Sequence, residues 1–182
     1  MKKVFVHFAS GFEEVEAITP IDVLRRAGCE VTTVSVMGKK EVTSARGVSI
    51  ITDALFEDMD YAEVDMVVLP GGQPGSDNLN RHEGLKRKIR MLHDKGRMIA
   101  AICAAPRVLG SAGVLKGKRA TCFPGTESLL TGATFTGNAV EVDGNIITAK
   151  GPGAAMKFSL ILVEQLVGKS KADELKKAMI VE

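Results

Sequence analysis

Short apolar runs alternate along the chain with longer mixed stretches, and the alternation reads βαβ from the start. Lys3 to Phe8 is expected as a buried strand, and Glu13 to Ala27 as a helix closed by Gly28 at a C-terminal cap. Pro20 lies inside that helix and predicts either a kink near Thr19 or a second helix capped by it. Val31 to Val36 is the second strand, and Glu41 to Ser44 with Val48 to Thr52 form a hairpin around Ala45-Arg46-Gly47. Met66 to Leu69 is a short apolar strand ending in Pro70-Gly71-Gly72, followed by a helix from Glu83 to Lys95 and a strand from Met98 to Ile102. Thr134 to Val142 and Asn145 to Ala149 flank Asp143-Gly144, a strong hairpin signal, and helices over Gly153 to Leu166 and Ser170 to Met179 close the chain. This pattern implies an α/β fold whose mostly parallel sheet is covered on both faces. Ligands are then expected outside the carboxyl ends of the strands.

Composition narrows the classes. With 182 residues the chain suits one domain, residues 1–182, that buries roughly 70% of its unfolded surface. Its 24 Lys and Arg against 22 Asp and Glu leave a formal charge of +2, scattered rather than gathered in a basic stripe, so specific nucleic-acid binding is not expected. The longest apolar stretch, Met98 to Ala105, is far shorter than the roughly 20 residues that span a bilayer. Lys2 and Lys3 precede a run too short for a signal-peptide core, and the expectation is a cytoplasmic protein without a membrane partner. Cys29, Cys103 and Cys122 are an odd set without CxxC spacing, which fits reduced thiols; no grouping has metal-ligand spacing, so no metal is expected.

The candidate chemistry gathers at strand ends. In Met98-Ile-Ala-Ala-Ile-Cys-Ala-Ala-Pro106 a strand runs into Cys103 and turns helical, with small residues at Ala101, Ala104 and Ala105. A nucleophile on such a turn needs small neighbours, and the pattern resembles a nucleophile elbow. The adjoining helix dipole would favour the thiolate, and lowering a thiol by about three from ~8.5 is worth roughly 4 kcal/mol. A buried structural cysteine is the alternative reading, and it is the one taken for Cys29 and Cys122. Glu13, Glu14 and Glu16 open the first helix. Glu13 and Glu14 read as a solvated first turn, whereas Glu16, between apolar neighbours, either joins them or points over the sheet edge as a buried, protonated acid. Gly71-Gly72 serves a turn or brings a Gly72 amide beside that of Ala104 as an oxyanion pair. Gly151-Pro152-Gly153 suits a pocket edge or a close packing contact, while His7, His82 and His93 read as structural.

Taken together, Glu13-Glu-Val-Glu16, Leu69-Pro-Gly-Gly72, Ala100-Ala-Ile-Cys-Ala-Ala105 and Gly151-Pro-Gly153 resemble the ThiJ/PfpI family across essentially the whole chain. The resemblance is to its Parkinsonism-associated deglycase, or glyoxalase III-like, branch with bacterial relatives. It implies a flavodoxin-like three-layer sandwich of the class I glutamine amidotransferase type, a homodimer, and a reactive cysteine at the elbow. Carried over by position, it makes Cys103 the reactive cysteine, Glu16 the protonated acid beside it, and Gly72 and Ala104 the backbone donors. Gly151, Pro152 and Phe123 then fall at the pocket edge, and Arg46 and Arg26 match arginines of the dimer interface. Phe123 stands where part of the branch has a histidine, and Ala104 where the peptidase branch has one, which removes the expected base for amide hydrolysis.

The resemblance therefore implies a cysteine-dependent enzyme acting on methylglyoxal, glyoxal or their early adducts in carbonyl and oxidative stress, with no cofactor. Its partners would be a small aldehyde or glycated substrate and a second copy of the chain. The alternative is a redox sensor or chaperone in which Cys103 oxidises to a sulfinate. Peptidase activity and thiazole-phosphate biosynthesis find less support in the residues.

Overall fold

The computed structural model describes residues 1–182. In chain order the strands are β1 (Lys3–Phe8), β2 (Glu30–Ser35), β3 (Glu41–Thr43), β4 (Ser49–Ile51), β5 (Ala54–Leu55), β6 (Met66–Leu69), β7 (Met98–Ile102), β8 (Arg119–Ala120), β9 (Thr134–Phe135), β10 (Val140–Asp143) and β11 (Ile146–Ala149). The helices are α1 (Glu14–Arg26), α2 (Gly75–Arg81), α3 (Glu83–Asp94), α4 (Pro106–Ala112), α5 (Ala155–Val167) and α6 (Lys169–Ala178). Seven strands form the central sheet in the order β10-β11-β7-β6-β1-β2-β5, parallel throughout except for the β10–β11 hairpin.

The alternation of side chains along β1 divides the core. Val4, Val6 and Phe8 pack with Ala17, Leu24, Phe158 and Leu162 of α1 and α5 on one face. Phe5 and Ala9 pack with Leu85, Ile89, Val108 and Leu109 of α3 and α4 on the other. The central strands β6 and β7 are apolar on both faces because both are covered, as a parallel sheet between two helical layers requires. This is the three-layer α/β sandwich expected from the sequence, and β1, β6 and β7 all deliver their carboxyl ends to one edge.

Three local expectations need correction, and one helix was not expected. Of the two expectations for Pro20, the start of a second helix is overturned: α1 is one continuous helix of 13 residues. Proline removes only the donor to the Glu16 carbonyl, and the buried stripe of Ala17, Pro20, Ile21 and Leu24 holds the helix on the sheet. Thr134 to Val142 is not one strand, because Thr134–Phe135 pairs in parallel with Arg119–Ala120 while only Val140–Asp143 pairs with β11. Helix α2 occupies a stretch to which the sequence assigns no element, and it is anchored by Asn78 Nδ2 donating to the Ser10 carbonyl at 2.9 Å and by an Arg107–Asp77 ion pair. Glu14 is not a merely solvated first-turn acid. It accepts a hydrogen bond from the Ser44 hydroxyl and one from the Arg46 amide at 3.1 Å, and thereby ties α1 to the β3–β4 hairpin.

No helix is long and apolar enough to cross a membrane.

Candidate functional site

The turn after β7 is where the backbone is least ordinary. Cys103 has φ 65°, in the left-handed region that a non-glycine residue enters only when its surroundings compel it. Its amide donates to the Ala149 carbonyl at 2.8 Å, continuing the β7–β11 ladder, and its own carbonyl accepts from the Phe123 amide at 2.8 Å. Ala104 and Ala105 then lead into α4, whose first residue is Pro106. The chain makes the strand-to-helix elbow read from Ala-Ile-Cys-Ala-Ala, with Cys103 held in the left-handed region at its apex.

Glu16 comes to the same point from α1. It is fully buried, and its Oε2 accepts from the Gly71 amide at 2.9 Å across 55 residues of sequence. Its Oε1 is buried without a hydrogen-bond partner, and the Cys103 thiol is the neighbouring side chain that favours the charged carboxylate. Gly71 is obligatory here: a Cβ on it would lie 2.4 Å from Glu16 Oε2 and 2.6 Å from Cys103 Cβ. Burial raises the Glu16 carboxyl to about 7, so much of it keeps its proton near neutrality, as a buried acid should.

Cys103 departs from the dipole argument. Burial, then the negative charge of Glu16 and its hydrogen bond, push the thiol up to about 12, against the opposing pull of the Gly72 and Ala104 amides. Helix α4 is short and starts three residues later, so its dipole does not outweigh burial beside a carboxylate. The two groups share their ionisation: when Glu16 is protonated its charge no longer opposes a thiolate, and its O–H becomes a donor to sulfur. The Gly72 and Ala104 amides, expected as an oxyanion pair, favour the thiolate of Cys103, lowering the thiol against the larger effect of burial.

A 290 Å³ cavity opens over Cys103, and Arg46, Gln73, Phe123, Thr126 and Pro152 are among its walls. Arg46 arrives on the β3–β4 hairpin, which is held down by Gly11 N–H donating to the Thr43 carbonyl and Ala45 N–H to the Phe12 carbonyl, both at 2.8 Å. Arg26, placed by position in the same pair of interface arginines, stands elsewhere, at the C-terminal end of α1, ion-paired with Asp22 at 2.9 Å. Gly151 lines a second cavity rather than this one, and Phe123 and Pro152 line both. Glu13 also lines the Cys103 cavity instead of facing solvent alone, and Thr126, not singled out from the sequence, belongs there too. The turn Phe123-Pro-Gly-Thr126 carried its signal, since the Thr126 amide and hydroxyl both return to the Phe123 carbonyl.

Cys29 and Cys122 are buried, and burial raises both thiols. His7 is buried with its Nε2 paired to the Tyr61 hydroxyl at 2.7 Å and is held neutral, lowered to about 3 mainly by burial. No histidine lines the Cys103 cavity. No group of three or more His, Cys, Asp or Glu is placed to hold a metal ion.

Comparison with known proteins gives this arrangement its context. The DJ-1/PfpI family model matches residues 2–165. The chain is 42% identical to protein DJ-1 homolog B of Arabidopsis thaliana over 182 residues, which is 99% of this chain and 42% of that protein. It spans less than half the length of that protein and of its homolog A. With protein dj-1beta of Drosophila melanogaster it shares 39% identity over 99% of this chain and 97% of that one. With a Caenorhabditis elegans protein named glutathione-independent glyoxalase DJR-1.2 it shares 32% over 92% and 89%. The structure of an oxidized Toxoplasma gondii DJ-1 superposes with a TM-score of 0.95 at 34% identity, covering 99% of this chain and 98% of that chain. With sequence similarity along its length and the same fold around the Cys103 elbow, the chain belongs to the DJ-1/PfpI family.

Proposed function

We propose that the protein is a cysteine-dependent enzyme of the glyoxalase III or deglycase type, acting on methylglyoxal, glyoxal or their early adducts. The observation that carries this reading is the pairing of Cys103, on its left-handed elbow, with a buried Glu16 whose carboxyl exchanges its proton near neutrality. A relative named as a glutathione-independent glyoxalase adds support.

In this mechanism Glu16 supplies the proton transfers that the absent histidine cannot. Its carboxylate takes the thiol proton as Sγ bonds to the aldehyde carbon. The carbonyl π electrons move to oxygen, and Glu16 returns the proton there to give a hemithioacetal. Glu16 then removes the proton on that carbon, the neighbouring ketone carbon is reprotonated, and a thioester results. Water hydrolyses the thioester to the hydroxy acid and regenerates the thiol, so the sum is α-oxoaldehyde plus water to hydroxy acid. The Gly72 and Ala104 amides, which favour negative charge at Cys103, would steady the charge that develops on the carbonyl oxygen.

The deciding experiment counts lactate formed from methylglyoxal per protein chain in wild type and Cys103→Ser. Many equivalents from wild type and none from the variant support the enzyme; one equivalent or fewer from both overturns it. The reading as a sulfinate sensor is favoured by the groups that bear on the thiol, since a protonated Glu16 and the Gly72 and Ala104 amides would hold sulfinate oxygens.

The same proposal includes a homodimer and a reducing compartment such as the cytoplasm. Val15 and Ile18 of α1 and Val48 and Ile51 of the hairpin are exposed apolar residues on two elements that Glu14 ties together, a surface suited to a second copy. The three cysteines are all unpaired, as reducing surroundings would keep them.

A further inference from the structure

Beyond the wall formed by Phe123 and Pro152 lies a second cavity of 430 Å³ that neither Cys103 nor Glu16 touches. Its walls are mainly apolar. Gly151 lets the Phe123 ring lie close above it, since a Cβ there would meet the ring at 3.3 Å, and Gly153 has open space where its Cβ would be. Two cations stand at its margin, Lys150 at the end of β11 and Lys157 in the first turn of α5. Neither takes part in any ion pair of the structure, and no acidic side chain lines the cavity. Lys157 also borders an adjoining cavity that Glu164, Asp173 and Glu182 line, but an apolar cleft with two cations at its margin and no acid of its own selects a ligand that has an apolar or planar body and an anionic end. A three-carbon aldehyde bound at Cys103 would leave all of it empty.

We propose that this cavity is a substrate subsite for the carrier portion of an α-oxoaldehyde adduct, and that the carrier bears a carboxylate or phosphate held by Lys150 and Lys157. The proposal rests on the aldehyde-adduct reading of the Cys103 site and names its substrate class: the carbonyl carbon sits at Cys103, the body crosses Pro152 against Phe123, and the anion ends at the lysines. Arg46 lines the Cys103 cavity and not the second one, so an anion attached directly to the aldehyde would meet Arg46 and one on a longer body would meet the lysines.

The test uses alkylation of Cys103, which does not require turnover. 4-(Iodoacetamido)benzoate and its uncharged twin 4-(iodoacetamido)benzamide are compared on the intact protein, with the modified residue identified by mass spectrometry; in each, sulfur displaces iodide. The expected result is about fivefold faster labelling by the benzoate, falling as salt is raised. That preference should disappear in Lys150→Gln/Lys157→Gln, while plain iodoacetamide labels wild type and variant at the same rate. A phosphate ester in place of the benzoate distinguishes the two anions: whichever is preferred more strongly identifies the group. Equal rates for the charged and neutral reagents in wild type, or a preference that survives the double substitution, overturns the subsite. Lactate formation is measured alongside. A lysine-dependent preference without lactate keeps the anion subsite and removes the aldehyde reading, whereas lactate without a preference does the reverse.

Discussion

At the scale of single residues, the site is a problem of protons held in a dry place. Glu16 is fully buried and its carboxyl sits near 7, above the ordinary value of about 4.5. A native pKa raised above the unfolded one means that the folded state binds more protons between those two values, so stability contributed by the protonated acid is present below about 4.5 and lost as pH rises through about 7. Compared with Glu16→Gln, which has no such titration, wild type should lose up to about 3 kcal/mol over that window, read as the pH dependence of urea midpoints. The same substitution removes the charge that pushes the Cys103 thiol upward. Iodoacetamide should therefore label Cys103 of Glu16→Gln at a lower pH than wild type, even though lactate formation is lost with the proton carrier. If the alkylation profile moves upward instead, the coupling between the two groups is wrong. Gly71→Ala should cost on the order of 1–3 kcal/mol in urea unfolding, because its Cβ would meet Glu16, Cys103 and the Ile102 carbonyl, all within 2.9 Å, and two of these belong to backbone-anchored groups.

At the scale of elements, two connections decide what faces the sulfur. The turn after β7 is left-handed at Cys103 and bonded on both sides, to Ala149 and to Phe123, so the nucleophile is carried by three segments and not by its own loop. The β3–β4 hairpin reaches the site because Ser44 is buried against Glu14 while its hydroxyl also accepts from the Val48 amide at 2.9 Å. Ser44→Ala removes both roles and leaves the Glu14 carboxylate short of a partner. It should destabilise by about 1–3 kcal/mol, and it should raise KM more than it lowers kcat if Arg46 helps to hold substrate. Steady-state kinetics with methylglyoxal checks this; an unchanged KM would place Arg46 outside substrate binding. The hairpin itself and the elbow were legible from turn residues and small side chains. Helix α2 was not, because Pro74-Gly75-Ser76-Asp77-Asn78 has turn chemistry and becomes helical only through contacts made by Asn78 and Asp77 elsewhere.

At the scale of the whole molecule, the sheet's two covered faces supply the stability against which the site is built. Phe158 is fully buried between α5 and the sheet, and Phe158→Ala should cost about 3–5 kcal/mol, lowering the urea midpoint without changing the slope. The exposed apolar group Val15, Ile18, Val48 and Ile51 should be covered in solution by a second copy of the chain. Sedimentation should give twice the monomer mass for wild type and the monomer mass for Ile18→Asp, with α/β content unchanged by circular dichroism. A monomeric wild type would remove that assignment.

The sequence by itself determined what depends on neighbours along the chain. Apolar strands, helix ends, the Asp143-Gly144 hairpin and the small residues around Cys103 are local signals, and their order sufficed for a parallel α/β sheet with chemistry at its carboxyl edge. The motif set also pointed to the family. Only the tertiary structure decided the ionisation of the site and its company. Whether Glu16 is a solvated first-turn acid or a buried proton carrier depends on a bond to Gly71 across 55 residues. Whether Cys103 is eased toward thiolate or held as a thiol depends on how much water the packed elements leave beside it. Arg46 and Arg26 look equivalent as charges in a sequence, yet one lines the Cys103 cavity and the other pairs with Asp22. Electrostatics in a low-dielectric interior is set by distances between residues that the chain brings together only on folding, and local sequence patterns do not encode those distances.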